Sequence, residues 1–392
     1  MKMRLDLGIS PKIYSVGLFL TLLLLVPSIR FFFAIAGYRW LYILSLSFGL
    51  SFSITPLLRF IAFKWGILDE PGPRKIHKEP TPLLGGGSVF FAFALGILIN
   101  GIYSVELIMI LLVSVIIFIV GTVDDIREIP ASIKFLIQLF CAGLVISFGI
   151  TVTVIPLSFG LIGKIGNIVI TIIWIIGITN AMNFLDGMDG AAAGVGAIIS
   201  FFLGVLAFLT DQPFLGWISL SMMGGCLGFL PYNFKMKKRA SIFLGDAGST
   251  FIGFVLATLA VYGHWWEGDS NPIVSFASPL LIFCVLIADM AYITAHRIFT
   301  GKVLNFREWL EYVGKDHLHH RLFFVLGDKR KAVFFIYAFA GTLGISALVL
   351  RHADTLNAVL LLIQAVFIVI LGTILERQLR LISKNNNMNS DK

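Results

Sequence analysis

The chain has 392 residues, of which 58% are apolar and 13% are charged. A soluble domain averages about 45–50% apolar and about 25% charged residues, so this composition excludes an ordinary soluble protein. The net charge of +8 could indicate nucleic-acid binding. The cations instead follow the pattern of a membrane protein, and we expect no nucleic-acid partner.

The apolar residues form continuous runs that are long enough to cross a bilayer, which needs about 20 residues per helix. Continuous rather than alternating runs favour helices over a strand barrel. The sequence therefore predicts an all-α fold, a polytopic transmembrane helical bundle of about 11–12 spans in a lipid bilayer. The candidate spans are 13–36, 40–63, 86–101, 104–122, 132–150, 165–185, 189–209, 214–232, 247–263, 273–293, 333–350 and 354–376.

The hydropathy pattern divides the chain into an extra N-terminal anchor or signal-like span, a transmembrane domain and a cytoplasmic polar tail, at 1–37, 38–376 and 377–392. The first span has two interpretations. Ala34-Ile35-Ala36 before Gly37 resembles a signal-peptidase site after a basic start and an apolar stretch. Arg30 and Phe31–Phe33 interrupt the approach to that site, which favours an uncleaved anchor.

The basic residues predict the orientation. With the N-terminus inside and twelve spans, only four of the 30 lysines and arginines fall outside, namely Arg30, Arg39, Lys164 and Arg351. The positive-inside rule therefore places both termini in the cytoplasm if the first span is retained. This orientation brings every polar cluster described below to the cytoplasmic side.

The first cluster lies in an inside loop rich in proline, glycine and cations, residues 69–87. Arg74, Lys75 and His77 could bind phosphate there. Alternatively, the basic residues of this loop are ordinary positive-inside charges.

Asp124 and Asp125 close the fourth span. A helix C-terminus is an unfavourable place for two carboxylates because the helix dipole is negative there, and the two charges also repel each other. A compensating cation would relieve both effects. The pair is interpreted as functional, against the alternative of a solvated helix end.

Asn180, Asn183, Asp186 and Asp189 recur at every third residue at the end of the sixth span. Neighbours in such a series share a helix face. The glycines that follow the two aspartates would bend the backbone and let it approach a ligand. The alternative is a capped helix–turn–helix.

Gly245 and Asp246 open the ninth span. Asp246 could be an N-cap only. A helix N-terminus is equally suited to phosphate, and the neighbouring clusters on the same membrane face favour that function.

His317, His319, His320 and Arg321 lie in the longest inside loop. A zinc site has little support, since no further Cys or His ligand is nearby in the sequence. An anion-binding role beside Arg321 fits better, with an interfacial basic loop as the alternative.

Five motifs in this order resemble the polyprenyl-phosphate N-acetylhexosamine-1-phosphate transferases, over residues 50–325. They are Arg-Lys-Ile-His…Pro-Thr-Pro-Leu-Leu-Gly-Gly, Asp-Asp, Asn-Ala-Met-Asn-Phe-Leu-Asp-Gly-Met-Asp-Gly, Phe-Leu-Gly-Asp-Ala-Gly-Ser and His-Leu-His-His. The chain looks most like the bacterial branch that starts O-antigen, enterobacterial common antigen or wall teichoic acid. The sister phospho-MurNAc-pentapeptide transferases typically have three consecutive histidines, whereas Leu318 interrupts the motif here.

The resemblance implies a reaction in the bacterial cytoplasmic membrane. Undecaprenyl phosphate attacks the β-phosphorus of a UDP-N-acetylhexosamine, most closely UDP-GlcNAc, and UMP is released. The expected cofactor is Mg²⁺, with Mn²⁺ as a substitute. A homodimer is left open.

The resemblance also implies roles for individual residues. Asp246 is the expected metal ligand, assisted by Asn183, and Phe243 would stack on uracil. Asp124, Asp125 and Asp246 are the expected catalytic residues. The remaining expected substrate-binding residues are Arg74, Lys75, His77, Asn180, Asp186, Asp189, His317, His319, His320 and Arg321.

A transporter is the rival class, because twelve spans and intramembrane acids are common in transporters. Transporter sites lie near the bilayer midplane, and Asp289, within the tenth span, is the one candidate for such a site.

Overall fold

The computed structural model describes residues 7–71, 79–265, 272–312, 314, 316–350 and 353–390. The first half of this part of the chain forms α1 (Pro11–Leu24), α2 (Pro27–Ile35), α3 (Arg39–Trp65), β1 (Leu68–Asp69), β2 (Thr81–Pro82), α4 (Gly85–Asn100), α5 (Val105–Ile126), α6 (Ala131–Ser147) and a 3₁₀ turn (Leu157–Phe159). The second half forms α7 (Gly160–Leu185), α8 (Ala191–Leu209), α9 (Pro213–Asn233), α10 (Gly245–Tyr262), α11 (Pro272–Ile282), α12 (Cys284–Phe299), α13 (Phe306–Glu311), α14 (Leu318–Leu326), α15 (Lys329–Val349) and α16 (Thr355–Ser390).

These helices confirm the polytopic helical bundle. Within the described residues, eight helices are long and apolar enough to span a membrane, or up to ten if each of two bent pairs is one span. Two of the predicted spans, 86–101 and 132–150, correspond to the shorter apolar helices α4 and α6. All twelve predicted spans therefore fall on helical structure.

Two predicted spans are not single straight helices. Helices α1 and α2 are bent by 71° relative to each other, and residues Phe276–Ile282 and α12 are bent by 75°. Pro27 begins α2 and has no N–H to continue the hydrogen bonds of the preceding helix. Pro279, which also lacks an N–H, lies one turn before the second break.

Helix α10 lies at the centre of the bundle, with 89% of its span window buried, and packs against α4, α5 and α7. Its N-terminus touches α5 closely because Gly121 has no side chain. A Cβ added at Gly121 would lie 2.5 Å from the Cα of Ala247. This contact places the end of α5, with Asp124 and Asp125, against the start of α10.

The loop before α10 is tied to the loop before α4. The two-residue strands β1 and β2 pair antiparallel, with Leu68 opposite Pro82. The carbonyl of Pro82 accepts the N–H of Phe243 at 2.8 Å, and the carbonyl of Phe243 accepts the N–H of Gly85 at 3.0 Å. Phe243 is therefore held beside the first turn of α10.

The C-terminal helix runs past residue 377. Helix α16 continues to Ser390 and so includes the segment predicted as a cytoplasmic polar tail, while the apolar span within it ends at Leu379. The apolar part, Thr355–Leu379, is only 11% buried and offers most of its surface to lipid.

Candidate active site

A cavity of about 970 Å³ opens where α3, α5, α7, α10 and α14 end or begin. Its walls carry acidic and basic side chains together. The charged residues, His320 and the two aromatic rings that line it are Arg59, Phe63, Asp69, Glu70, Glu79, Asp124, Asp125, Glu128, Lys134, Asp186, Asp189, Arg239, Phe243, Asp246, His320 and Lys329. Parts of all five motifs, which are far apart in the sequence, thus meet at one cavity.

A lysine joins two carboxylates at this cavity. Lys134 Nζ lies 2.7 Å from Asp124 Oδ2 and 3.4 Å from Asp246 Oδ2. Asp124 also accepts the backbone N–H of Ile129 at 2.7 Å. The side chain of Asp124 is 6% exposed and that of Asp246 is 37% exposed, so Asp246 is the carboxylate that a ligand can reach. We refer to Asp124, Lys134 and Asp246 as the acid–lysine centre.

Asp125 holds the N-terminus of α10. Its Oδ1 accepts the N–H of Asp246 at 2.7 Å, and its Oδ2 accepts the N–H of Ala247 at 3.1 Å. The first N–H groups of a helix have no partner within the helix, and here a carboxylate from α5 satisfies two of them. Asp246 itself lies in the first turn and Leu244 occupies the N-cap position, so the N-cap alternative for Asp246 is wrong.

The polar residues spaced three apart, Asn180 to Asp189, begin in α7 and continue beyond its end. Helix α7 ends at Leu185, and Asp186 occupies the C-cap position. Asp189 follows in the loop, where its Oδ2 accepts the N–H of Ala240 at 3.2 Å. Asp186 and Asp189 both line the cavity. Burial, together with the charges of Asp246, Asp125 and Asp189, raises the pKa of Asp186 well above its ordinary value.

The two asparagines of the series support the site from within α7. Asn183 Nδ2 donates to Ser249 Oγ at 3.0 Å, and its side chain lies near enough to Asp246 to influence that carboxylate. Asn180 Nδ2 donates to Gln138 Oε1 at 2.7 Å. In this geometry Asn183 orients the exposed carboxylate, and Asn180 joins α7 to α6.

The histidine motif contributes one side chain to the cavity wall and two buried ones. His320 lines the cavity, whereas His317 and His319 are 7% and 1% exposed. Within the described residues neither ring nitrogen of His319 has a hydrogen-bond partner. Burial, the neighbouring histidines and Arg321 lower the pKa of His319 well below its ordinary value, so this imidazole is neutral at pH 7.

His319 packs directly on the backbone of the aspartate loop. A Cβ added at Gly187 would lie 2.2 Å from His319 Nε2, closer than any real contact allows. We expect Gly187→Ala to displace the histidine motif from Asp186 and to lower kcat by at least about tenfold. The measurement is steady-state turnover together with the thermal unfolding midpoint in detergent.

Gly177→Ala is the matched control for this substitution. Gly177 lies in α7, the helix that precedes Gly187, and a Cβ there meets nothing within 4 Å. Alanine favours a helix over glycine by up to about 1 kcal/mol, so this control should keep full turnover and the same or a higher unfolding midpoint. Equal turnover in the two variants would contradict the packing argument.

The cavity has four basic residues that sequence reasoning treated only as topological charges, namely Arg59, Lys134, Arg239 and Lys329. The sequence predicted a compensating cation beside Asp124 and Asp125. Lys134, ten residues after Asp124, could have been identified from that expectation. Arg74, Lys75 and His77 lie outside the described residues. Arg321 is buried and does not line the cavity.

The oxygen donors of the cavity fit a magnesium ion. Within the described part of the chain, no three or more His, Cys, Asp or Glu side chains converge to enclose a metal. Magnesium does not need such a cage, because it keeps several waters and is typically held by one or two carboxylates plus substrate phosphates. The exposed carboxylate of Asp246, with the carboxyl oxygens of Asp186 on the same cavity wall, provides such a donor set.

Comparison with known proteins identifies the family. The sequence pattern described as glycosyl transferase family 4 matches residues 107–264. The chain is 33% identical over 327 residues to a probable undecaprenyl-phosphate N-acetylglucosaminyl 1-phosphate transferase of Bacillus subtilis, covering 82% of this chain and 88% of that protein. The chain belongs to the polyprenyl-phosphate N-acetylhexosamine-1-phosphate transferases of glycosyl transferase family 4.

Two other relatives match smaller parts of this chain. An undecaprenyl-phosphate alpha-N-acetylglucosaminyl 1-phosphate transferase of Salmonella typhi is 26% identical over 67% of the chain and 71% of its own length. A phospho-N-acetylmuramoyl-pentapeptide-transferase of Prochlorococcus marinus is 32% identical over 54% of the chain and 66% of its own length. The match to the pentapeptide enzyme is therefore the shorter one. The matched pattern includes six of the acidic residues that line the cavity, at Asp124, Asp125, Glu128, Asp186, Asp189 and Asp246.

Proposed function

We propose that this protein transfers N-acetylglucosamine-1-phosphate from UDP-GlcNAc to undecaprenyl phosphate and releases UMP. The observation that carries the proposal is the acid–lysine centre at a cavity with three further cations, Arg59, Arg239 and Lys329. The named activity of the Bacillus subtilis relative supports the same reaction. The lipid-linked sugar diphosphate would be the first intermediate of a cell-envelope glycopolymer.

The cavity accounts for the parts of the reaction. An oxygen of the lipid phosphate attacks the β-phosphorus of UDP-GlcNAc, the bond to the α-phosphate oxygen breaks, and UMP carries that oxygen away. Phosphoryl transfer depends mainly on positioning and on compensation of charge. The cations on the cavity wall that can meet phosphate oxygens are Arg59, Lys134, Arg239 and Lys329, and Phe243 offers a ring for uracil. The prenyl chain can lie against exposed apolar side chains of α6, such as Leu136 and Phe140, as it passes from the cavity into lipid.

Asp246 and Asp186 would hold Mg²⁺, and Asn183 would orient Asp246. When bound, the ion neutralises charge on the diphosphate and polarises its phosphoryl oxygens. Asp124 is paired with Lys134 and only 6% exposed, whereas Asp246 is 37% exposed, so Asp246 remains the more reachable ligand. Titration of turnover with Mg²⁺ and Mn²⁺ in metal-depleted protein tests this proposal.

The deciding experiment is a product analysis. The purified protein is incubated with undecaprenyl phosphate, Mg²⁺ and either UDP-GlcNAc, UDP-GalNAc or UDP-MurNAc-pentapeptide, and the lipid product is identified by mass. We expect the UDP-GlcNAc product together with UMP. Faster turnover of the pentapeptide donor would replace this function with that of the sister enzymes. Uptake into vesicles without nucleotide turnover would favour a transporter.

We further propose that the cavity faces the cytoplasm of a bacterial inner membrane. The cavity carries Arg59, Lys134, Arg239 and Lys329, and cations collect on the cytoplasmic side of membrane proteins. In a cysteine-free background, Ser132→Cys and Lys237→Cys should react in intact cells only with a membrane-permeable maleimide.

Lys164→Cys, near the opposite end of α7, is the matched control and should react with an impermeant maleimide. The three native cysteines, Cys141, Cys226 and Cys284, are free thiols and must be replaced first. Impermeant labelling at residues 132 and 237, with protection at 164, would reverse the proposed orientation.

A further inference from the structure

The C-terminal helix contains one buried acid on an otherwise lipid-facing surface. The apolar part of α16 is 11% buried, and Leu375 and Leu379 are 53% and 49% exposed. Glu376, between them, is 6% exposed. A carboxylate within a membrane helix is costly and normally has a partner and a function. Glu376 lies 112 residues beyond the end of the matched family pattern at residue 264.

The partner of Glu376 is the arginine of the histidine motif. Glu376 Oε2 lies 3.0 Å from Arg321 Nη1, and both side chains are almost completely buried, at 6% and 5% exposure. Arg321 Nη2 lies 3.5 Å from Asp289 Oδ1 on α12. The guanidinium also lies 3.9 Å from the ring centroid of Tyr292. Arg321 therefore joins α12, α14 and α16 through two acids and one aromatic face.

Asp289 holds the start of the histidine-bearing helix. Its Oδ1 accepts the N–H of Leu318 at 2.7 Å, and its Oδ2 lies 3.2 Å from His317 Nδ1. An ionised carboxylate only accepts hydrogen bonds, so His317 Nδ1 donates. His317 occupies the N-cap position of α14 without a side-chain cap of its own, and Asp289 fulfils that role from another helix.

These contacts determine where His320 lies. Helix α14 is only nine residues long, and its first turn carries His319, His320 and Arg321. Asp289 fixes the start of that turn, and Arg321 fixes its rotation from the opposite side through Glu376. His320 lies in the same turn and lines the cavity. A shift of the turn would therefore move His320 and also His319, which packs on Gly187.

We infer that Glu376 is a positioning residue of the transferase site: through Arg321 it fixes the turn of α14 that presents His320 to the cavity. Asp289 acts from the other side of the same arginine. The expected effect of Glu376 on turnover rests on the proposed transferase function. Its expected effect on the position of α14 rests on the structure alone. The same arrangement also gives Asp289 a role at the transferase site. The sequence alone had suggested Asp289 as the candidate acid of a transporter site.

The test compares Glu376→Gln with Arg377→Gln, which removes a charge from the exposed neighbouring position. We expect Glu376→Gln to lower kcat by at least about tenfold while KM for undecaprenyl phosphate stays within about twofold, because the lost contact affects positioned groups rather than acceptor binding. Arg377→Gln should match the unmodified protein in both constants.

Hydrogen exchange supplies a readout that does not depend on activity. Amides of α14 should exchange faster in Glu376→Gln than in Arg377→Gln, whereas amides of α7 should be unchanged. Unchanged exchange in α14, or wild-type kcat, would overturn the inference. If the unmodified protein turns over no UDP-sugar, the proposed function fails, and the exchange comparison still decides whether Glu376 fixes α14.

Breaking a buried ion pair is strongly destabilising, so Glu376→Gln is accompanied by a milder substitution at the same position. Glu376→Asp keeps the charge on a side chain shorter by one methylene. We expect it to fold and to retain a kcat between those of the unmodified protein and Glu376→Gln. A loss confined to the unfolding midpoint, with normal kcat in both variants, would show that the pair only docks α16.

Discussion

Asp246→Asn should lower kcat/KM by about 1000-fold, which corresponds to about 4 kcal/mol of lost transition-state stabilisation. Asp246 is the exposed carboxylate of the acid–lysine centre, at 37% side-chain exposure, and lies at the N-terminus of the buried helix α10. Asparagine has the same size but carries no charge. It can neither pair with Lys134 nor serve as an anionic ligand for magnesium.

The fold should persist in this variant because Asp246 does not cap its helix. The N–H groups of Asp246 and Ala247 are held by Asp125, which the substitution leaves in place. We therefore expect an unfolding midpoint within a few degrees of the unmodified protein. The measurement is product formation at several Mg²⁺ concentrations, together with calorimetric binding of Mg²⁺ in the presence of UDP-GlcNAc.

Asp211→Asn is a suitable control, since Asp211 lies in the turn between α8 and α9, remote from the cavity lining. It also removes one carboxylate, and it should leave turnover and magnesium dependence unchanged. Near-native turnover of Asp246→Asn at ordinary magnesium would show that the charge is not needed, and the proposed metal role would then be abandoned.

Hydropathy predicted the membrane helices well because apolar length is a local property of the sequence. Each predicted span falls on helical structure. The 71° and 75° bends were missed, since an apolar run does not show whether neighbouring helices will keep it straight. The last predicted span ends at residue 376. The sequence did not show that the side chain of Glu376, at that end, is buried against Arg321.

The location of the site was predictable, and its internal pairing was not. The acidic and histidine motifs were expected at one membrane face because spans of suitable length bring them there. Lys134 pairs with Asp124, ten residues away, and with Asp246, 112 residues away. Such pairing depends on how α5, α6 and α10 pack, which no single motif encodes. The burial of His319 likewise depends on the approach of α14 to Gly187.

Asp124→Asn and Asp125→Asn should each lower turnover near neutral pH by more than about a hundredfold, for different reasons. Asp124→Asn leaves Lys134 without its 2.7 Å partner, so the lysine is free to move onto Asp246. Asp125→Asn retains one acceptor for two N–H groups and places an amide N–H₂ against the other. This misaligns the first turn of α10, where Asp246 lies.

Thermal unfolding should separate the two variants. A hydrogen bond to a charged group contributes about 1.5–3 kcal/mol, and a buried donor left unsatisfied costs about 1–3 kcal/mol. Asp125→Asn should therefore lower the unfolding midpoint by several degrees. Asp124→Asn keeps an acceptor for Ile129 N–H and should lower it less. Equal midpoints would contradict the helix-anchoring role of Asp125.

Raising the pH to 9 should rescue neither variant. The second pKa of a phosphate monoester is near 6, so about nine-tenths of the acceptor is already dianionic at pH 7 and gains little from a base. Even if the membrane surface and the carboxylates raised that pKa by about two units, a base would contribute only about tenfold, or about 1.4 kcal/mol. A loss above a hundredfold must then come from charge or positioning. Recovery of most activity at pH 9 in one variant would instead identify that aspartate as the general base, and full activity of both at every pH would remove the pair from the site.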